Sequence, residues 1–373
     1  MVFFSNKNRA NNELKSIQGL RVLFAIMIFY HHFTRPSVVQ FGLCAVVAFF
    51  MLSGFVMSAG YYRIVSGNEF VFCDYYRNRL RKVYPVLLLS ILIAIAYKMI
   101  QIIASGDPNC LRNVVGTIVY AIPSLFCVQS FIPISGVYFG GNAVAWFLSD
   151  ILFCYLVFPS ICRCILNSRA HLNMITFVIL LIVYVCVMCY MPEKWCHPLL
   201  YINPIFRSLD FIIGVYLYKI YASLLNGKRG LGITNNWFSF MFMELFFVGV
   251  LVYTLIISEG MSLRYSAALL FWLPIALLIL FNAFQDTMNS RVSMILDMIS
   301  EGGKYTMEFY LFHVIIIGIY YSFLSFENWT IPFVVSSIAC FVVVSVIAFL
   351  IKKYYEPYVD KKIELIWKRN MAK

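Results

Sequence analysis

Ten runs of about twenty mostly apolar residues constrain this chain more than anything else in it. They fall near 17–34, 41–60, 83–104, 143–165, 172–190, 200–224, 237–257, 264–284, 305–325 and 331–351. An apolar helix of roughly 20 residues spans the hydrocarbon layer of a bilayer. Within that layer every backbone N–H and C=O must find its partner inside the protein. The runs therefore predict an all-α fold: a polytopic membrane helix bundle of about ten transmembrane helices. Composition agrees, with 62% hydrophobic residues and 12% charged, against about half and a quarter in soluble domains. The segment 114–132 is apolar but short and interrupted by Pro123, which reads as a re-entrant or interfacial helix.

Charge orients the bundle. With the N-terminus inside, 23 of the 29 Lys and Arg residues fall on inner segments, five (Arg35, Lys98, Arg112, Lys194, Arg264) fall outside, and Arg207 lies within a span. That is the bias of the positive-inside rule. It favours ten spans with both termini cytoplasmic, because an eleventh at 114–132 would turn the basic tail outward. The net charge of +12 is then explained by inner loops, with no nucleic-acid partner required. Residues 1–373 read as a single membrane domain with its core at about 14–357, a basic amphipathic tail at 352–373 and no appended soluble domain. The first run reads as a retained span, since no small-residue cleavage signal follows it. Most of the eleven cysteines lie in apolar runs, where free thiols act as small hydrophobes. Cys110 and Cys127 share an expected outer loop and are the one candidate disulfide. No ligand spacing points to a metal.

A few polar groups interrupt the apolar runs. Arg21 and His32 are eleven residues apart, which places both on one helix face about 16 Å apart. Ionisable groups at that depth mark functional sites by default, although a snorkelling Arg and a structurally satisfied His also fit. The inner loop FVFCDYYRNRLRKVYP carries Arg77, Arg79, Arg81 and Lys82, a cluster suited to phosphate or to anionic lipid. Asp150 lies in an otherwise apolar run, where it either pairs with Arg207 or does chemistry. Arg207 and Asp210, three residues apart, fit an internal pair equally well. Tyr310 and His313 form a further pair at helical spacing.

Five phrases, in order, resemble the acyltransferase-3 family of integral membrane acyltransferases, the group that O-acetylates cell-surface glycans. The family's basic residue, ten residues, then His is matched by Arg21 and His32. Its apolar run ending in Ser-Gly-Phe is similar to Phe49–Ser58. Its Arg-x-x-Arg-Ile-x-Pro is matched by Arg79, Lys82 and Pro85, with Lys and Val replacing the second Arg and Ile. Trp146, Leu148, Tyr155, Phe158 and Pro159 fit its Trp-x-Leu segment, and Tyr310, Leu311 and His313 its Tyr-Leu-x-His. One departure stands out: many members carry Glu five residues after the Trp, where this chain has Ile151 beside Asp150.

The resemblance implies a membrane O-acyltransferase that moves an acetyl or other short acyl group from cytoplasmic acyl-CoA to a hydroxyl of a cell-surface or exported polysaccharide. It implies a catalytic set of His32, Arg21 and Asp150, with His32 as general base and Asp150 either replacing the family's Glu or not. Arg77, Arg79, Arg81 and Lys82 would hold the donor, and Trp146, Ser149, Arg207, Tyr310 and His313 would meet the substrate. Acyl-CoA would be a co-substrate, with no permanently bound cofactor and no metal. The partners would be a polysaccharide or lipid-linked glycan and membrane lipids, in a bacterial cytoplasmic membrane. The chain stops where some relatives continue into an esterase-like domain, so donor handoff to such a domain is not expected. A non-catalytic glycan or lipid transporter is the alternative, although no paired broken helices in two related halves are visible.

Overall fold

The computed structural model describes residues 14–34, 40–226, 237–287, 299–324, 326, 328 and 330–371. Among them there is no strand, as hydrocarbon-spanning runs require. Twelve helices carry the fold: α1 (Lys15–Phe33), α2 (Phe41–Val65), α3 (Phe72–Ala104), α4 (Cys110–Leu125), α5 (Trp146–Asn167), α6 (Ala170–Tyr190), α7 (Pro204–Asn226), α8 (Trp237–Ser258), α9 (Leu269–Thr287), α10 (Thr306–Phe323), α11 (Ile331–Leu350) and α12 (Glu356–Met371). The charged positions Lys7, Arg9, Arg35, Lys228, Arg229, Arg291 and Lys373, used above to orient the chain, lie outside the described residues.

Each of the ten predicted runs falls on a helix. Among the described residues, eight helical stretches are long and apolar enough to cross a membrane. The other two runs correspond to α1 and α8. In α1 the apolar stretch is diluted by Lys15, Gln18, Arg21 and the two histidines, and in α8 the part whose side chains are described, Phe242–Ser258, is shorter than a span.

The bundle is organised around α2, which is mostly buried from Gly42 to Ser58. Its closest neighbour is α7, and glycines set the distance. A Cβ on Gly54 would lie 2.0 Å from the Phe211 carbonyl oxygen, and one on Gly214 2.0 Å from that of Met51. Small residues that let backbones touch are how helices associate where lipid removes the hydrophobic drive. By contrast, α6 and α11 show mostly exposed apolar side chains, as lipid-facing helices do.

The helices alternate, so contacts identify two ends. At one end Asp286 accepts from the Ser16 amide and hydroxyl at 2.9–3.0 Å, Gly303 abuts Gln18, and Arg81 reaches Asp360. This is the basic end. At the other, Tyr321 donates to the Phe33 carbonyl and Arg264 to that of Met191.

In segment 114–132 the helix is shorter than the eight stretches long enough to cross a membrane. Helix α4 is 16 residues long, after which the chain turns through residues 126–145 and plunges into the bundle. Asn142 donates to the Leu311 carbonyl of α10 at 2.8 Å and to Ser90 of α3 at 3.1 Å. Tyr310 donates to the Val144 carbonyl at 3.0 Å. Gly140 has no room for a side chain, since its Cβ would lie 2.1 Å from the Tyr120 carbonyl, and Gly141 adopts φ +71°, which glycine alone tolerates cheaply. The part that enters the bundle is the loop around Gly140–Val144, beyond the segment 114–132 expected to do so, and it meets α3 and α10 within their lengths. All eleven cysteines are free thiols, so Cys110 and Cys127 form no disulfide.

Candidate functional site

A cavity of about 370 Å³ opens at the basic end. Arg21 from α1, Arg79, Arg81 and Lys82 from α3, Lys304 just before α10 and Lys352 just after α11 bring six cations to its wall. Periodicity explains the α3 contribution, because residues 79 and 82 share a helix face. Arg79 is positioned from α2: its guanidinium bonds the Tyr61 hydroxyl, lies 4.4 Å from the centre of that ring and approaches the Met57 sulfur at 3.7 Å. Arg21 lies 3.5 Å from the Gln18 side-chain oxygen, and Tyr155 is within electrostatic range of both arginines. Glu356 and Asp360 are the carboxylates on the same wall. The far side is aromatic, formed by Phe49, Phe147 and Tyr310.

Beyond Tyr310 lie three imidazoles. The His32 ring is 5.1 Å from that of His313 and 5.2 Å from that of His31, and His31 packs directly on Gly42 of α2. His313 is fully buried. Its Nδ1 is 2.6 Å from the Tyr310 carbonyl oxygen. A carbonyl only accepts, so Nδ1 carries the hydrogen and Nε2 of the neutral ring is an acceptor. That Nε2 has no hydrogen-bond partner among the described residues.

Several predicted site residues do other work. Arg77 is off the cavity wall and pairs with Asp74 at the surface. Ser149 donates to the Cys127 carbonyl at 2.5 Å and shares a hydrogen bond with Ser130 at 2.8 Å, which anchors the re-entrant loop and occupies its proton. Arg207, completely buried, bonds Asp210 at 2.6 Å and the carbonyls of Tyr201, Leu200 and Ala267 at 2.8–2.9 Å. All three guanidinium nitrogens are engaged, so Arg207 is a structural clamp and not a substrate contact. Its partner is Asp210, not Asp150. The Asp150 carboxyl is buried next to Ser130, with no hydrogen bond of good geometry among the described residues. It is absent from the cavity wall, where Ile151 stands instead. A helix turns about 100° per residue, so Asp150 does not occupy the direction of the family's Glu.

Trp146 is buried with its ring 5.1 Å from Tyr201, and Tyr201 lies 5.5 Å from His197. Tyr201 and His197 belong to a π-helical stretch, Cys196–Ile202, which Arg207 pins through two carbonyls. His197 shares a 3.2 Å hydrogen bond with the Tyr138 hydroxyl. Burial, and then the Arg207 charge, hold its imidazole below the usual pKa. This aromatic group faces the end opposite the cations. Sequence reasoning named Trp146 but missed Tyr201 and His197, as it missed Lys304 and Lys352, because no local spacing joins these four to the motifs.

The Acyl_transf_3 family profile, described as an acyltransferase domain, matches residues 14–351. The chain belongs to the acyltransferase-3 family. Acyltransferase MdmB of Streptomyces mycarofaciens is 28% identical over 159 residues. The matched stretch is 39% of this chain and spans 38% of that protein. No solved structure matches. Within this family the first-helix pair, Arg21 and His32, now has a physical setting: one residue on the cationic wall, the other in the histidine group at the opposite end of the same helix.

Proposed function

We propose that this protein is a membrane O-acyltransferase that takes an acyl group, acetyl in the simplest case, from acyl-CoA at the basic end. It would transfer that group to a hydroxyl of a cell-surface or exported carbohydrate arriving from the opposite side. The positive-inside bias makes the basic end cytoplasmic, which suits a bacterial inner membrane. The observation that carries the reading is the cavity itself. Six cations converge at one end of α1, and the reactive histidines lie about 16 Å farther along it. Such a separation calls for a donor whose carbonyl hangs on a long arm from its phosphates, as in acyl-CoA.

Arg21, Arg79, Arg81 and Lys82 would bind the phosphates through charge-assisted hydrogen bonds. The arm would pass the Phe49, Phe147 and Tyr310 wall toward His32. Neutral His32 then removes the proton from an acceptor hydroxyl. The oxygen forms a C–O bond to the thioester carbonyl carbon, the C–S bond breaks, and the proton passes to the leaving CoA thiolate. Lying 5.1 Å away, His313 would position His32; its buried, tautomer-fixed ring serves better as a support than as a first base. The half-buried rings of Tyr201 and His197 would meet a sugar ring, with Trp146 packed behind Tyr201.

The test is transfer of labelled acetyl from acetyl-CoA to glycan in membranes of an acceptor-producing host. Wild type should label glycan; well-folded His32→Gln should lose the label, and Arg79→Gln should raise the KM for donor more than it lowers kcat. Equal labelling by His32→Gln would remove His32 as the base.

A further inference from the structure

The cation cavity already contains anions, and they come from the C-terminal helix. Lys352 lies in a π-helical turn, Ile351–Tyr355, that links α11 to α12. Such turns are rare and are frequent at functional sites. Its ammonium is 3.0 Å from Glu308 and 2.9 Å from Glu356. The two carboxylates differ in kind. The Glu308 side chain is 0% exposed and stands behind the wall, whereas that of Glu356 is 21% exposed and lines the cavity. The Glu308 contact is shut off from the cavity, so an entering ligand does not reach it and it serves as the anchor. The Glu356 contact is open to exchange. One helical turn later Asp360, 57% exposed, reaches Arg81 at 3.4 Å and lines the same cavity. Residues four apart lie on one face, so α12 presents two carboxylates to the cations that are meant for phosphate.

We infer that Lys352, anchored by Glu308, is a further cation for the donor's phosphates, and that Glu356 is the resident anion those phosphates displace. The inference rests on the acyl-CoA reading of the cavity. Six cations face two carboxylates on that wall, which leaves an excess of positive charge for the phosphates of a CoA nucleotide. A phosphate entering against Lys352 competes with Glu356, one entering against Arg81 competes with Asp360, and both exchanges loosen the start of α12.

The experiment is titration calorimetry of CoA with the full chain in lipid nanodiscs at fixed ionic strength. Loss of one partly exposed ion-pair partner should shift affinity by about 1.5-fold to fivefold. Glu356→Gln should tighten CoA binding by that factor, Lys352→Gln should weaken it, and Lys352→Arg should restore it. Asp360→Asn should tighten binding in the same direction as Glu356→Gln and stands in for it if Glu356→Gln does not fold. Unchanged or weaker binding by Glu356→Gln and Asp360→Asn, or unchanged binding by Lys352→Gln, overturns the inference. If CoA binds wild type and Arg79→Gln weakens it while these variants do nothing, the acyl-CoA reading survives and this exchange falls. If wild type binds no CoA, both fall.

Discussion

Replacing Gly54 by alanine should pry apart the two helices at the centre of the bundle. A Cβ at Gly54 would stand 2.0 Å from the Phe211 carbonyl oxygen, and ordinary contact begins at 3.4 Å. Helices α2 and α7 would therefore have to separate locally by about 1.4 Å. The obstructing atom is backbone, so no side-chain rotation relieves the clash. Overpacking of this kind costs about 1–3 kcal/mol. The damage reaches the cavity, because α2 carries Phe49 and Ser53 of its lining as well as Tyr61, which holds Arg79. Gly60, in the same helix, supplies the control: nothing lies within 4 Å of its hypothetical Cβ, and alanine there gains up to about 1 kcal/mol of helix propensity. Thermal unfolding in detergent, with residual acyl transfer, is the assay. Gly54→Ala and Gly214→Ala should melt several degrees below wild type with reduced donor affinity, and Gly60→Ala should melt at or above it. Equal melting of Gly54→Ala and Gly60→Ala would refute the close-packing account.

Two further outcomes follow from groups that the structure assigns to architecture. Arg207→Met should cost about 3–5 kcal/mol by leaving Asp210 a buried unpaired charge, and Arg207→Met with Asp210→Leu should recover much of it; monodisperse yield in size-exclusion chromatography reads both. His197 titrates below its usual value in the folded protein, against about 6.5 unfolded. As pH falls below about 6.5 the unfolded chain gains a proton that the folded chain resists, so stability is lost on acidification and is unaffected above that range. His197→Gln should flatten the slope of melting temperature against pH between 7 and 5, and an unchanged slope would contradict the assignment.

Local periodicity made half of the site readable. Arg21 with His32, and Arg79 with Lys82, are related by helix geometry alone, and both sets fall where that geometry puts them. In the segment 114–132 the helix ends at Leu125, two residues after Pro123. The rest depended on which helices meet. Lys304 and Lys352 join the cavity across more than two hundred residues of sequence, and the glycines that seat α2 on α7 look like any others in an apolar run. Ambiguity between structural and functional polar groups was also settled by contacts. Arg207 and Ser149 had the right chemistry for a substrate, yet carbonyls of neighbouring segments already occupy their donors. Asp150 is adjacent to the position the family pattern marks, but one residue along a helix changes the direction by about 100°. That places Ile151 at the cavity.

The central claim is that donor and acceptor use opposite ends of the bundle, with the donor entering among the cations. Sided proteoliposomes test it most directly, with the orientation of each vesicle population fixed by protease access to α12. Labelled acetyl-CoA is supplied either outside or inside, with a carbohydrate acceptor in the other compartment. Transfer should occur only when acetyl-CoA is on the side that exposes α12, and Arg79→Gln should suppress it. Transfer from acetyl-CoA supplied on the opposite side alone would contradict the account.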